Sequence, residues 1–365
     1  MPWYRAFGLA IRADQRIPAL DGVEIRSPGE DLVADLVVQT MGTTGESLPE
    51  LAFPHDSAAA CMIDSDSVAD KSLPELALPR EHLEEPATRP WYETPADDSG
   101  QVLRVWRRGD GGYRFVYSDG AEFLVAAGGR HVVAGWPPEL TLDDAVEYLL
   151  GPVVGFALRA MGVVCLHASG IAAGDAGCFA VLAPGGHGKS TTAAACARRG
   201  LAVLTDDVLA LLPRDGGFSV LPAYPRIRLW PEAVTGLFGA PDALPRITPG
   251  NADWQKRYLD LTAPGYSFQS VPLPLRAVYT HEREEAEPAT FEELTAAEAL
   301  VTLLANVYSL CRPDAETRAR EFNLLEQLAR SVPVKRFRGR FGIDQLDAQC
   351  ALLRADCLAA AAVAG

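Results

Sequence analysis

Apolar and polar positions change their period several times along this chain. Over residues 1–40, "WYRAFGLAI" and "DLVADLVVQT" are short apolar stretches broken by turn residues, and they predict strands. From 43 to 100 no period survives, and Pro, Ser, Asp and Glu fill the segment. So long a stretch without periodicity is uncommon inside a compact domain, so it is expected to be a flexible acidic insertion. From 102 the alternation returns in "VLRVWRR", "YRFVYS" and "AEFLVAA", separated by "GDGG" and "DG". Those glycine turns between alternating runs predict an antiparallel meander. Residues 1–140 thus read as a β-rich amino-terminal module carrying the 43–100 insertion.

At 141 the period lengthens. "TLDDAVEYLLGPVVGFALRAM" has helical apolar spacing behind a plausible cap, Thr141. Two strand-like runs follow, "VVCLHASGIAA" and "CFAVLA", joined by "GDAG". A glycine-rich loop, an alanine-rich helix ending at "ARRG" and the strand "LAVLT" come next. Thr295 and Glu298 form a T-x-x-E capping box ahead of "ALVTLLANVY". Residues 141–365 are therefore expected to form one α/β domain.

Composition narrows the classes. A length of 365 residues suits two domains, and 48% hydrophobic with 22% charged residues is ordinary for a soluble protein. The net charge of −15 argues against nucleic acid as a partner. Most of it is local: residues 41–100 hold 13 Asp/Glu against 3 Lys/Arg, a balance of −10 that leaves −5 elsewhere. No apolar run reaches the roughly 18 residues of a membrane span. The opening "MPWYRAFGLAIRADQR" has no signal-like block, and the seven scattered cysteines suggest neither disulfides nor zinc. A cytoplasmic protein with reduced thiols is the expectation; the oligomeric state, a homo-oligomer included, stays open.

The chemistry concentrates in "APGGHGKST", residues 183–191. It matches the phosphate-loop spelling G-x-x-x-x-G-K-[S/T] except that Ala183 replaces the first glycine. Such a loop works because backbone N–H groups and a helix amino terminus converge on an anion. A strand before and a helix after supply that context here. The expected nucleotide contacts are Pro184, Gly185, Gly186, His187, Gly188, Lys189, Ser190 and Thr191. Lys189 would meet the β- and γ-phosphates of ATP, and the Ser190 hydroxyl would meet Mg²⁺. One strand later, Asp206 and Asp207 are expected at the carboxyl edge of the sheet, one to take a hydroxyl proton and the other to help hold Mg²⁺. In "AYPRIRLWP", alternation sets Arg226 and Arg228 on one strand face, fit for a phosphate, a substrate carboxylate or plain solvent. Lys256 and Arg257 form a second basic pair, and His167 by spacing alone reads as a core residue. Asn306 and Tyr308 end an apolar helix and read as structural.

"LHASGIA", "CFAVLAPGGHGKST" and "LTDDVLAL" together resemble the carboxyl-terminal catalytic domain of HPr kinase/phosphorylase. "YRAFGLAIR", "LLGPVVGFALR", "YPRIRLWP" and "KRYLDL" resemble the HPr-kinase-like proteins associated with lasso-peptide biosynthesis. The resemblance spans most of the chain apart from 43–100. It implies an HPr-kinase-like P-loop domain behind the β-rich module, and Mg²⁺/ATP-dependent phosphorylation of a serine hydroxyl. It also implies Asp206 as general base, Asp207 as a metal carboxylate, and His167 as an active-site residue. The implied acceptor is a peptide or protein bearing a serine, in the lasso relatives the carboxyl-terminal serine of a precursor peptide. Ala183 and the absence of the family's glycine-rich signature keep two alternatives in view: a nucleotide-binding regulatory or scaffold protein with little catalysis, and a small-metabolite kinase.

Overall fold

The computed structural model describes residues 1–26, 34–43, 89–96, 100–184, 186–249, 251, 254–283, 289–308, 314–339 and 342–363. Gly185 and most of the 43–100 segment lie outside the described residues.

The chain divides into two units. The first comprises Met1–Arg5, Leu9–Arg16 and Glu24–Leu140, and the second Ala6–Gly8, Ile17–Val23 and Thr141–Gly365.

The first unit holds an eight-stranded sheet. Its strands are β1 (Trp3–Ala6), β2 (Leu9–Ala13), β3 (Leu36–Thr43), β4 (Tyr92–Glu93), β5 (Leu103–Arg107), β6 (Tyr113–Tyr117), β7 (Glu122–Val125) and β8 (His131–Trp136), in the order β1-β2-β3-β8-β7-β6-β5-β4. From β5 to β8 it is the expected antiparallel meander, with Gly111, Gly120 and Gly129 at positive φ in the turns. Phe115 and Phe123 face each other across β6 and β7, both fully buried. β3 departs from the hairpin pattern by lying parallel to both β2 and β8. Residues 14–35 between β2 and β3 are long enough for the crossover that parallel pairing needs.

The second unit is mixed α/β. Helices α1 (Leu142–Tyr148) and α2 (Val154–Ala160) are joined by a π-type turn containing Pro152, whose missing N–H a regular helix would not accommodate. Thr141 caps α1 in a capping box with Asp144. Then come β9 (Val164–Gly174), β10 (Gly177–Leu182), α3 (Lys189–Arg198), β11 (Val203–Thr205), β12 (Val208–Arg214), β13 (Gly217–Leu221), β14 (Arg226–Leu229) and α4 (Pro231–Phe238). β15 (Arg257–Asp260), β16 (Leu273–Arg283), β17 (Thr290–Glu293), α5 (Ala296–Ala305), α6 (Ala315–Ser331), β18 (Val334–Gly339) and α7 (Leu346–Val363) complete it. α5 starts at the predicted Thr295/Glu298 capping box.

The main sheet runs β10-β9-β12-β13-β16-β18-β17, and β16 also pairs with β10, closing five strands on themselves. β10 is buried along its whole length, so it reads as an unbroken apolar run, with alternate residues serving two cores. Phe179 and Val181 join Ala193, Ala194, Leu346 and Leu353 of α3 and α7. Cys178, Ala180 and Leu182 join Leu303, Leu325 and Leu328 of α5 and α6. Each large apolar side chain buried this way contributes about 1.5–3 kcal/mol. Alanines along α3 let that helix sit close on the sheet, so the loop before it is held against a rigid strand end.

Two features of the site follow from the order of strands. β10 and β11 do not touch; β9 lies between them and is antiparallel to both. They therefore point the same way, and both carboxyl ends reach one edge. No helix among the described residues is long and apolar enough to cross a membrane. Cys165, Cys178, Cys196, Cys350 and Cys357 are free and buried.

Candidate functional site

β10 ends at Leu182, Ala183 is buried behind it, and α3 begins at Lys189. Gly186 and Gly188 take φ of 72° and 93°, a region costly for a side chain with a Cβ. Gly188 is the residue preceding α3, so the left-handed turn delivers the chain into the helix with its first N–H groups free of intrahelical partners. Lys189 folds back over the loop, its Nζ donating to the carbonyls of Ala183 at 2.7 Å and Pro184 at 3.3 Å.

The aspartate pair sits on a sharp turn. Thr205 Oγ1 donates to the Val208 carbonyl at 2.6 Å, and Asp207 takes a φ of 73°. Left-handed backbone is tolerated by Asp better than by most residues. Strand alternation alone would send neighbouring side chains to opposite faces; the turn instead gives each carboxylate its own set of partners. Asp206 is buried, and its Oδ1 accepts from Ser190 Oγ at 2.9 Å and Ser169 Oγ at 2.7 Å. Its Oδ2 accepts from the Arg228 backbone N–H at 3.1 Å. Asp207 faces a cavity of about 530 Å³, within the size range of small-molecule sites.

Around Asp207 the partners come from distant elements. Arg228 on β14 donates to it at 2.6 Å and to Glu147 of α1 at 3.0 Å. His167 Nε2 of β9 lies 3.2 Å from its other oxygen. Tyr308 Oη donates to it at 3.3 Å, and the Tyr308 ring meets the His167 ring edge-on at 5.7 Å. Residues 306–308 reach this place by running along β9: His167 N–H donates to the Asn306 carbonyl, and Tyr308 N–H to that of Cys165, each at 2.8 Å. Tyr308, expected from its sequence position to be structural, is therefore part of the site.

The electrostatics follow from burial and proximity. Burial by itself would raise the Asp207 carboxyl, but Arg228, His167 and Lys256 outweigh it and hold it below the usual carboxylate range. Burial lowers His167 below the ordinary imidazole value, with Asp207 pulling the other way. Lys189 and Lys256 are both lowered, in each case first by burial.

The cavity wall gathers His167, Gly186, His187, Gly188, Lys189, Ser190, Thr191, Asp207, Arg228 and Lys256. Of the other expected residues, Asp206 stands behind Ser190, while Arg226 and Arg257 are not on the wall. The Arg226 guanidinium lies 4.1 Å over the Tyr258 ring and donates to the Pro18 carbonyl at 3.2 Å. Register explains the sorting. β14 and β15 pair Leu229 with Arg257, so continuing the register by one position sets Trp230 opposite Lys256, and both line the cavity. Ala233, Ile343 and Leu346 add an apolar wall that no motif announced.

Ser190 Oγ and the Asp206 carboxylate, 2.9 Å apart, are the oxygens that could hold a divalent cation beside the loop. Among the described residues no group of three or more His, Cys, Asp or Glu could hold a metal by itself.

No protein-family model and no curated protein matches the chain. Among solved structures it is similar to the Hpr(Ser) kinase/phosphatase from Coxiella burnetii, at 14% identity over 53% of this chain and 96% of that one, with a TM-score of 0.29. A likeness at that level leaves the chemistry to be judged from the site's own geometry.

Proposed function

We propose that this protein is an Mg²⁺/ATP-dependent phosphotransferase acting on a hydroxyl. One observation carries the reading: the strand–loop–helix bearing Lys189 and Ser190 and the turn bearing Asp206 and Asp207 open onto one cavity. The loop N–H groups and Lys189 would bind the triphosphate, with Lys189 leaving its loop carbonyls to do so. Ser190 and Asp206 would hold Mg²⁺, which supplies charge neutralisation along the β- and γ-phosphates.

Asp207 is assigned to the reacting end. The acceptor oxygen attacks the γ-phosphorus and forms the new P–O bond. Its proton passes to Asp207, and the bond to the β-phosphate oxygen breaks, with ADP leaving on that electron pair. This exchanges the roles that the resemblance gives the two aspartates, because Asp206 is spent on Ser190, Ser169 and a backbone N–H whereas Asp207 faces the cavity. A carboxylate held ionised is a weak base, which suits a reaction whose transition state asks more for positioning than for early proton removal. His167, Tyr308 and Arg228 are positioning residues, fixing that carboxylate from three sides. For the acceptor we infer a serine of a peptide or protein, on the strength of the motif resemblance.

The test is transfer of label from γ-labelled ATP to peptides ending in serine, to peptides with internal serine, and to small alcohols. Label on a serine peptide, lost in Lys189→Ala, supports the reading. Nucleotide binding with no labelled acceptor favours a regulatory protein, and transfer confined to small alcohols moves the acceptor class.

A further inference from the structure

Three cations reach the cavity, and two of them have oxygen partners. Arg228 is committed to Asp207 and Glu147, and Lys189 to two loop carbonyls. The third, Lys256, has aromatic faces instead. Its Nζ lies 4.9 Å from the centroid of Trp230 and 5.5 Å from that of Trp254, and the two indoles lie 5.8 Å apart at a 45° tilt. No carboxylate among the described residues pairs with its ammonium.

The backbone around it is fixed as well. The Lys256 carbonyl accepts from the Ile247 N–H at 3.2 Å. The Trp254 carbonyl accepts from Arg246 at 3.1 Å and from Thr248 at 3.3 Å. Trp230 stands between the end of β14 and the start of α4, directly across from Lys256 in the extended β14–β15 register. A lysine is ordinarily a flexible point charge on four methylenes. Here two ring faces flank the ammonium, and the backbone that carries it is hydrogen-bonded, on the wall of the cavity. Such a cation, preorganised and partly desolvated, can be aimed at charge that develops only as a reaction proceeds.

We propose that Lys256 is a catalytic residue, its ammonium contacting the equatorial oxygens of the phosphoryl group during transfer, with Trp230 and Trp254 as the clamp that aims it. The inference rests on the phosphotransferase reading and assigns the γ-phosphoryl group to the cavity that Lys256 and Asp207 both line. Lys256 takes no proton and forms no bond. It stabilises charge on the moving group while the acceptor–phosphorus bond forms and the bond to ADP breaks. Burial, and then repulsion by Arg228, lower the ammonium's pKa, and the carboxylates of Asp207, Asp206 and Glu147 offset part of that.

The experiment compares wild type, Lys256→Met, Lys256→Arg and Trp254→Leu. It measures Mg-ATP affinity, the single-turnover rate of transfer from γ-labelled ATP to a peptide ending in serine, and the KM for that peptide. Lys256→Met is expected to bind Mg-ATP within about threefold of wild type and to lose about 10²–10³ in the single-turnover rate, the size of loss seen when one preorganised transition-state donor is removed. Lys256→Arg should recover part of that rate, and Trp254→Leu should lose part of it with the charge intact. If Lys256→Met does not fold, Lys256→Gln is read in its place. An unchanged single-turnover rate overturns the inference, and so does a loss confined to peptide KM, which would make Lys256 an acceptor-binding group. An active wild type with an unaffected Lys256 variant sinks this inference alone. A wild type that transfers phosphate to no hydroxyl sinks the phosphotransferase reading and this inference with it.

Discussion

Ser190 donates its hydroxyl to Asp206 at 2.9 Å, while Asp207, the next residue, turns away into the cavity and is held there by Arg228. The two carboxylates are adjacent in the chain and separate in chemistry, and the account depends on that separation.

Arg228 is the hinge of the charge balance. Its side chain is 11% exposed and bridges Asp207 to Glu147. Removing it takes from two largely buried carboxylates their closest counter-charge, a change that costs about 3–5 kcal/mol. Arg228→Met should therefore lower stability by that order at neutral pH. The deficit should shrink in acid: with the guanidinium gone, burial pushes the Asp207 carboxyl up, and once protonated it needs no partner. Denaturant melts at pH 7 and pH 5 check this. A deficit that grows in acid would contradict the assignment.

Gly155 makes room for Tyr308. A Cβ built there lies 2.5 Å from two carbons of the Tyr308 ring. Alanine in place of a helical glycine gains roughly 0.5–1 kcal/mol, but overpacking of this kind costs about 1–3 kcal/mol, so the clash wins. Gly155→Ala should lower the melting temperature and slow phosphoryl transfer by displacing the tyrosine from Asp207. Gly155→Ala with Tyr308→Leu should recover the stability and not the rate. Recovery of neither would mean the clash is relieved elsewhere.

His281 of β16 gives a pH signature separate from the reaction. Burial, with Lys189 adding repulsion, lowers its pKa from 6.5 to about 4. Between those values the unfolded chain binds the proton and the folded one does not, so stability falls as pH drops through that window and levels off below it. The shift corresponds to a contribution on the order of 3 kcal/mol. Stability measured from pH 7 to pH 4 should show this slope, and His281→Leu should flatten it.

How far the site was legible can be seen residue by residue. The Thr141 and Thr295 caps and the Gly200 helix stop are local patterns, each decided within a few residues, and the structure has them. Partners at long range left no such trace. Tyr308 and Asp207 are 101 residues apart, and Arg228 and Glu147 are 81 apart, and neither pair belongs to a motif. Period-2 alternation tells which residues share a strand face but not which strand lies beside it. It therefore did not show that β9 intervenes between β10 and β11, or that register would send Lys256 to the cavity and leave Arg257 off it. Trp254 became meaningful only beside Lys256.

The most direct test compares Mg-ATP affinity with single-turnover phosphoryl transfer in Asp206→Asn and Asp207→Asn. The account predicts that Asp207→Asn binds Mg-ATP nearly normally and loses on the order of 10²–10⁴ in transfer. Asp206→Asn should raise the Mg²⁺ requirement and weaken nucleotide binding first. The opposite pattern, with normal binding and lost transfer in Asp206→Asn and a metal defect in Asp207→Asn, would contradict the assignment of the two carboxylates.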